Sequence, residues 1–363
     1  MASQRDGGVS WTNPPGYTGE SWNVVRGCAN RCGARCWAER QAIRQAKPGE
    51  AYACLVETTP NGPRWTGLQR FVAEKLAEPL HWREPRCVAV SLMGDLFGSG
   101  ITDQQIARIY AVMLATRHHR YCVLTKQAER RRELLSSGGF VPLLEQECLQ
   151  LSTWSDLAIN MTFPADNVIE LVSCSDQPTL DALLPDLLAT PAAWRGVSLE
   201  PLLGPAKFAN LRPTRTIHVC VDVAGALRNK SFYGLSGDDG RILGRWEAQR
   251  ELERLAAEGV KVIPAHGCDD FDPIQGCLGH ENPGLDWIIV GAESGTGPLR
   301  TKGARYCNQD WVLDVVRQCR DAGVACHVKQ IHLGSPVSGF ELSHDVSLWR
   351  DELRVRQWPE VFK

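Results

Sequence analysis

Three cysteines lie close together near the start of the chain, where Cys28, Cys32 and Cys36 are spaced C-x3-C-x3-C. A loop this short can wrap three thiolates around one centre, and iron–sulfur clusters are held by cysteine thiolates, usually four of them. Three ligands from one loop would leave one iron of a four-iron cluster open to a non-protein ligand. The spacing therefore predicts a [4Fe-4S] cluster with a reactive iron.

The same residues allow two other interpretations. Three cysteines with a fourth ligand from elsewhere can form a zinc site, and free cysteines are also common as buried apolar residues. Zinc loops usually contain C-x2-C pairs, which this segment lacks. Positive charge from Arg26, Arg31 and Arg35, together with the helix-like stretch that follows, would favour thiolates.

Composition describes an ordinary globular chain of 363 residues, with a formal net charge of −2 and 14 cysteines. This net charge excludes the overall positive field that is typical of many nucleic-acid-binding proteins, but it does not exclude a local basic groove. No run approaches the roughly 20 apolar residues of a membrane span, and the first residues lack a signal-peptide pattern. We therefore expect a cytoplasmic protein without a membrane partner, whose cysteines stay reduced and act as ligands or buried thiols.

Apolar, β-branched runs alternate with helix-like segments along the chain. Because strands and helices that alternate in this way form parallel sheets, the pattern predicts an α/β fold, and six or seven units favour a partial (β/α) barrel over an open sheet. Strands are predicted near residues 24–25, 87–92, 121–126, 168–173, 196–200, 287–290 and 325–330, and helices over 102–117, 127–135, 178–188 and 309–322.

Polar or charged residues follow the predicted strands at their carboxyl ends. In a barrel these ends converge on the active-site face, although loops that follow strands are usually polar in any case. The residues are Asp95, Lys126, Asp176, Glu200, Glu293 and Lys329.

Residues 206–284 interrupt the strand and helix pattern and carry a second group of possible metal ligands. His266, Cys268, Cys277 and His280 could form a tetrahedral structural zinc site. The alternative is a loop with two unpaired cysteines and two surface histidines. The predicted organisation is a partial barrel over residues 1–205 and 285–335, an insertion with possible zinc over 206–284, and a C-terminal tail over 336–363.

Seven segments together resemble a phage-encoded family with a three-cysteine motif, which is radical-SAM-like and of poorly characterised function. The resemblance runs from about residue 20 to 332 in the same order, and the SLEPLLGP and WIIVGAESG segments are its most specific parts. The wider radical-SAM class typically reads C-x3-C-x2-C, whereas here the last spacer has three residues and Trp37 follows Cys36. The matching segments are residues 21–39, 93–97, 123–126, 173–177, 198–205, 286–295 and 327–330.

The resemblance implies a partial β/α barrel that holds a four-iron cluster and S-adenosylmethionine. An external electron donor would reduce the cluster, which would cleave the cofactor and release a 5′-deoxyadenosyl radical. Cofactor contacts are expected from Met93, Gly94, Asp95, Ser173 and Glu200. Substrate contacts are expected from Lys126, Asp176, Glu293 and Lys329.

The phage context, acting in the host cytoplasm, points to modification or rearrangement of a DNA base or of a group attached to it. The basic run 126–132 could touch phosphate or form a solvated helix face. Two rival functions stay open: a non-catalytic, zinc-stabilised nucleic-acid-binding protein, and a metal-dependent hydrolase on a β/α barrel.

Overall fold

The computed structural model describes residues 9–30, 32, 36–151, 162–209, 211 and 284–362. The chain divides into two compact units, Met1–Ala209 with Leu285–Lys363, and Asn210–Gly284. The fold below is that of the first unit. The predicted zinc ligands His266, Cys268, Cys277 and His280 lie outside the described residues.

An eight-stranded, mostly parallel sheet forms the centre of the first unit and curls into a half-barrel. Its strands are β1 (Thr18–Trp22), β6 (Arg86–Val90), β7 (Arg120–Thr125), β8 (Val168–Cys174), β9 (Trp194–Leu199), β10 (Trp287–Gly291), β11 (Ala325–Ser335) and β12 (Gly339–Ser343), adjacent in that order. Two short antiparallel pairs lie outside it: β2 (Val25–Arg26) with β5 (Arg70–Phe71), and β3 (Val56–Thr59) with β4 (Gly62–Trp65).

The predicted α/β partial barrel is therefore present, with one strand more than predicted. All neighbouring strands from β1 to β11 are parallel, and β12 pairs with β11 in the antiparallel sense. Residues 336–363, predicted as a tail, supply β12 and also Val361 and Phe362, which pack inside the half-barrel.

The first strand of the sheet lies earlier than the sequence pattern predicts. The apolar pair at 24–25 predicts this strand, but β1 covers Thr18–Trp22, and Val25 belongs to β2. β1 is an edge strand with β6 as its sheet neighbour, and of its five residues only Trp22 is buried. An edge strand of this kind needs no apolar run, so periodicity does not reveal it.

Helices cover the outer face of the sheet, and three of them have well-defined caps. Thr102 caps α2 (Asp103–Ala115) through a capping box with Gln105, Asp176 caps α5 (Gln177–Ala189) in the same way with Thr179, and α6 (Gln309–Ala322) ends at Gly323 in the left-handed conformation. The helices are α1 (Trp37–Ala42), α2 (Asp103–Ala115), α3 (Ala128–Leu135), α4 (Phe140–Gln150), α5 (Gln177–Ala189) and α6 (Gln309–Ala322).

Side chains alternate along each strand between two apolar layers, as strand geometry requires. On β6, Val88 and Val90 pack against the helices, whereas Cys87 and Ala89 face the interior of the half-barrel. The interior at the amino-terminal ends of the strands is filled by large aromatic residues, including Trp11 and Trp287 at 5.9 Å between ring centroids. Within the described ranges, no helix is long and apolar enough to cross a membrane.

Candidate functional site

The cysteine loop starts directly after β2, a few residues past the carboxyl end of β1, and is fixed at its base by the segment that follows β6. The Gly27 N–H donates to the Met93 carbonyl at 3.0 Å, and Gly27 and Gly94 form a parallel bridge. A Cβ atom at Gly94 would lie 2.8 Å from both the Gly27 and Val25 carbonyl oxygens, so only glycine allows this approach. The predicted cofactor segment Met93–Gly94 therefore supports the cysteine loop through its backbone.

Asp95 is 3% exposed, and both of its carboxylate oxygens accept hydrogen bonds from the protein. Oδ1 accepts from the Thr125 hydroxyl at 2.7 Å and the Phe97 N–H at 3.0 Å. Oδ2 accepts from the Asn30 side-chain amide at 2.7 Å and the Lys126 N–H at 3.1 Å. These four donors come from the cysteine loop and from the ends of β6 and β7, so the carboxylate joins these segments.

Asn30 is the contact through which Asp95 holds the cysteine loop. Its side-chain oxygen accepts from Gln127 Nε2 while its amide donates to Asp95. A second amide, Gln69 Nε2, donates to the carbonyls of Gly27 at 3.3 Å and Asp95 at 2.9 Å. The base of the loop is thus held from two sides by neutral side chains.

The three thiols are free, and they differ in exposure: Cys28 is buried, Cys36 is half-buried and Cys32 is exposed. The pKa of the Cys28 thiol is raised to about 12, chiefly by burial, with smaller contributions from the neighbouring Asp95 carboxylate and the other two thiols. Desolvation also raises the pKa of Cys32, although the residue as a whole is exposed, and the Lys126 ammonium lowers it. Electrostatic coupling therefore links the three thiols to one another and to Asp95, and it links Cys32 to Lys126.

The donor set at this loop is three free thiols with a cation beside them. In the part of the chain that the structure describes, no three His, Cys, Asp or Glu side chains converge on a point where a single metal ion could sit. Convergence on one ion is what a mononuclear site needs, whereas each thiolate that holds an iron–sulfur cubane binds a different iron. Three free thiols on one short loop are the donor set that a cubane with one open iron needs.

Two of the predicted lysines bind other predicted site residues along the carboxyl edge of the sheet. Lys126 Nζ donates to the Ser173 hydroxyl at 2.9 Å and to its carbonyl at 2.8 Å. Lys329 Nζ lies 3.0 Å from Glu200 Oε1. A Cβ at Gly291 would stand 3.1 Å from Glu200 Oε1, so this glycine leaves the room that the ion pair occupies.

The other two predicted acidic residues have clear structural partners. Glu293 is 5% exposed and binds the Arg305 guanidinium through both oxygens, at 2.9 Å each. Hydrogen bonding to Glu293 accordingly raises the pKa of Arg305, and the nearby Asp176 adds to the effect. Asp176 itself accepts from the Thr179 N–H at 3.0 Å as the cap of α5.

The three arginines of the basic run each pair with a carboxylate, and Arg131 is also buried. Arg131 is fully buried and lies 3.3 Å from Glu170, which also accepts a hydrogen bond of 2.5 Å from the Tyr110 hydroxyl. The run therefore does not present its charge to solvent as a block, which leaves little of it for phosphate. The two flanking arginines also pair with carboxylates, Arg130 with Asp103 and Arg132 with Asp186.

Sequence reasoning missed several residues that the structure brings to the site. Asn30 lies inside the cysteine loop, and its amide next to the expected ligands was a usable signal. Gln69, Thr125 and Arg305 had no comparable signal, because they reach the site from positions 12 to 42 residues away from their partners.

Together these features define an α/β half-barrel protein whose cysteine loop lies beside a polar carboxyl edge. Residues 13–339 match a family described as a protein of unknown function, DUF5131. The match covers most of the chain, so the protein belongs to this family. No curated protein and no solved structure was found to match the chain.

Proposed function

We propose that this protein is a radical S-adenosylmethionine enzyme in which Cys28, Cys32 and Cys36 hold a [4Fe-4S] cluster. The observation that carries the proposal is the group of three free thiols at the carboxyl edge of a half-barrel, fixed at its base by the Met93–Asp95 segment. Active sites of β/α barrels lie at this edge. The fourth iron would be free for the cofactor, because the loop offers three thiolates.

When bound, the cluster and S-adenosylmethionine supply one-electron cleavage of the cofactor to a 5′-deoxyadenosyl radical, and the protein supplies position and electrostatics. Asn30 and Asp95 fix the loop that carries the thiols. Lys126 brings positive charge close to Cys32 and would offset part of the negative charge of a thiolate-bound cluster. Glu200 and Lys329 present one anionic and one cationic group for polar parts of the cofactor or the substrate.

A nucleic-acid base, or a group attached to one, remains our prediction for the substrate. The arginines at 130–132 pair with carboxylates, which weakens the argument that the basic run contacts phosphate. Zinc in the 266–280 segment likewise stays a prediction.

Anaerobic reconstitution tests the cluster directly. We expect about four irons and four sulfides per chain with visible absorbance, as for a single cubane. Incubation with S-adenosylmethionine and dithionite should then yield 5′-deoxyadenosine. The variants C28A, C32A and C36A should each lose most of the iron and the cleavage activity.

The matched control is C54A, because Cys54 is also free and exposed but lies outside the loop. It should keep wild-type iron content and cleavage. Full iron content in C32A would contradict the assignment. Colourless protein that binds zinc at the loop would favour the rival binding function, and metal-dependent hydrolysis without colour would favour the hydrolase.

A further inference from the structure

We propose that the segment carrying the cysteine loop, residues 26–71, binds single-stranded nucleic acid on its exposed side. This Cys segment contains eight lysines and arginines against three acidic residues, a net charge of +5 in a chain whose total is −2. The rest of the chain therefore carries a net charge of −7. A local positive field of this kind attracts a polyanion to one place on the surface.

Six of the eight basic residues of the Cys segment lie within the described residues, and one of these six, Arg64, pairs with a carboxylate. Within the described residues, Arg64 pairs with Glu39 at 3.4 Å, whereas the remaining basic side chains bind neutral groups or none. Arg40 donates to the Ser294 carbonyl, and Arg44 to the Gln41 amide oxygen. Arginines elsewhere, at 130–132, each pair with a carboxylate. The positive charge of the Cys segment is thus available to a ligand.

Trp37 supplies an aromatic surface next to these charges. It is 47% exposed and directly follows Cys36, at the start of α1. Gln41 follows Trp37 by one turn of α1, whereas Ala38 and Ala42 are buried. Arg44, in the 3-10 turn Ile43–Gln45 after α1, donates to the Gln41 amide oxygen at 3.1 Å. An exposed aromatic ring beside arginines is the arrangement on which unpaired bases stack while the backbone is neutralised.

A nucleic acid fits this surface better than an acidic protein does. An acidic protein would use the charge, but it has no need for an exposed indole flanked by cations, whereas every base offers a face for stacking. Arg40 also links α1 to the loop after β10, which leads from this surface to the carboxyl edge of the sheet. This inference depends on the proposed function in one respect, that the bound nucleic acid is the substrate of the radical enzyme.

Fluorescence anisotropy with a labelled single-stranded oligonucleotide of about 16 nucleotides tests the binding. W37A should bind about 5- to 150-fold more weakly, from the loss of one stacked base, while W37F should retain most of the affinity. In R44Q/K47Q the slope of log affinity against log salt should fall by roughly 1.4, for two lost phosphate contacts. R320Q, which removes an exposed arginine beside Asp321 on α6, should behave as wild type.

The assay uses the full chain without its cluster, so the binding result can be interpreted even if the radical-enzyme proposal fails. Circular dichroism verifies that each variant is folded. Absence of binding, or equal losses in R44Q/K47Q and R320Q, would overturn the inference. Competition by polyglutamate as strong as that by unlabelled oligonucleotide would overturn it in favour of an acidic polypeptide partner.

Discussion

The carboxylate of Asp95 has a more specific role in the structure than its position after a strand suggests. The sequence predicts that it binds the cofactor, whereas its two oxygens already accept four hydrogen bonds from the protein. Thr125 and Asn30 supply the two shortest, at 2.7 Å each. At the scale of the residue, Asp95 therefore positions the loop that carries the thiols.

Replacement of Asp95 by asparagine separates positioning from ligand binding. The variant D95N turns one acceptor into a donor that faces other donors, so we expect a loss of about 1.5–3 kcal/mol in the free energy of unfolding. Iron retention should also fall, because the tie to Asn30 weakens. Urea unfolding and iron analysis measure the two effects.

The control is D345N, since Asp345 caps a short helix and asparagine caps equally well. Wild-type stability and iron content in D95N, with lost S-adenosylmethionine affinity, would instead support the ligand-binding role that the sequence predicts.

At the scale of elements, the site depends on how closely the start of the cysteine loop approaches the turn after β6. Gly27 and Gly94 meet backbone to backbone, and the Met93 N–H donates to the Asn23 side chain at 3.0 Å. The two segments are 67 residues apart in sequence, since Gly27 bridges Gly94. Their contact is therefore a product of the parallel pairing of β1 with β6.

A methyl group at Gly94 should separate these segments. G94A places a Cβ at 2.8 Å from two carbonyl oxygens, so we expect a loss of about 1–3 kcal/mol in stability from overpacking and a reduced iron content. The control is G138A, because nothing lies within 4 Å of a Cβ there. Equal thermal midpoints and equal iron content in G94A and wild type would contradict the proposed contact.

At the scale of the whole molecule, the C-terminal segment and the first residues close the amino-terminal end of the half-barrel. Trp358 Nε1 donates to the Trp11 carbonyl at 2.8 Å, and the Trp358 ring lies 5.0 Å from that of His327. His327 is fully buried, and its Nε2 forms a hydrogen bond of 3.4 Å with the Ser10 hydroxyl. The pKa of His327 is lowered to about 3, chiefly by burial, with smaller contributions from the cations Arg356 and Lys329.

This histidine should make folding stability depend on pH. Below about pH 6.5 the unfolded chain binds a proton at this position and the folded chain does not, so stability falls as the pH falls, by about 1.4 kcal/mol per pH unit for one group, down to the folded pKa. We expect the free energy of unfolding, measured with urea between about pH 5 and pH 7, to depend less steeply on pH in H327Q than in wild type. H81Q, at an exposed histidine, is the control. Equal slopes in H327Q and wild type would contradict the prediction.

The sequence by itself determined the features that depend on short-range pattern. Buried apolar runs and helical periodicity set β6 to β11, and α6 begins and ends at the residues predicted, because burial on both faces or on one stripe leaves a local signal. The spacing of the three cysteines can likewise be recognised from the sequence alone.

Only the tertiary structure decided which side chains meet. It placed β1 and β12 at the sheet edges, where local pattern is weak, joined Asn30 to Asp95, and paired Lys329 with Glu200. It also buried Arg131 against Glu170, which a charge run does not reveal. Such contacts join residues that are 39 to 129 positions apart. Chain topology and burial determine them, so local sequence preferences cannot predict them.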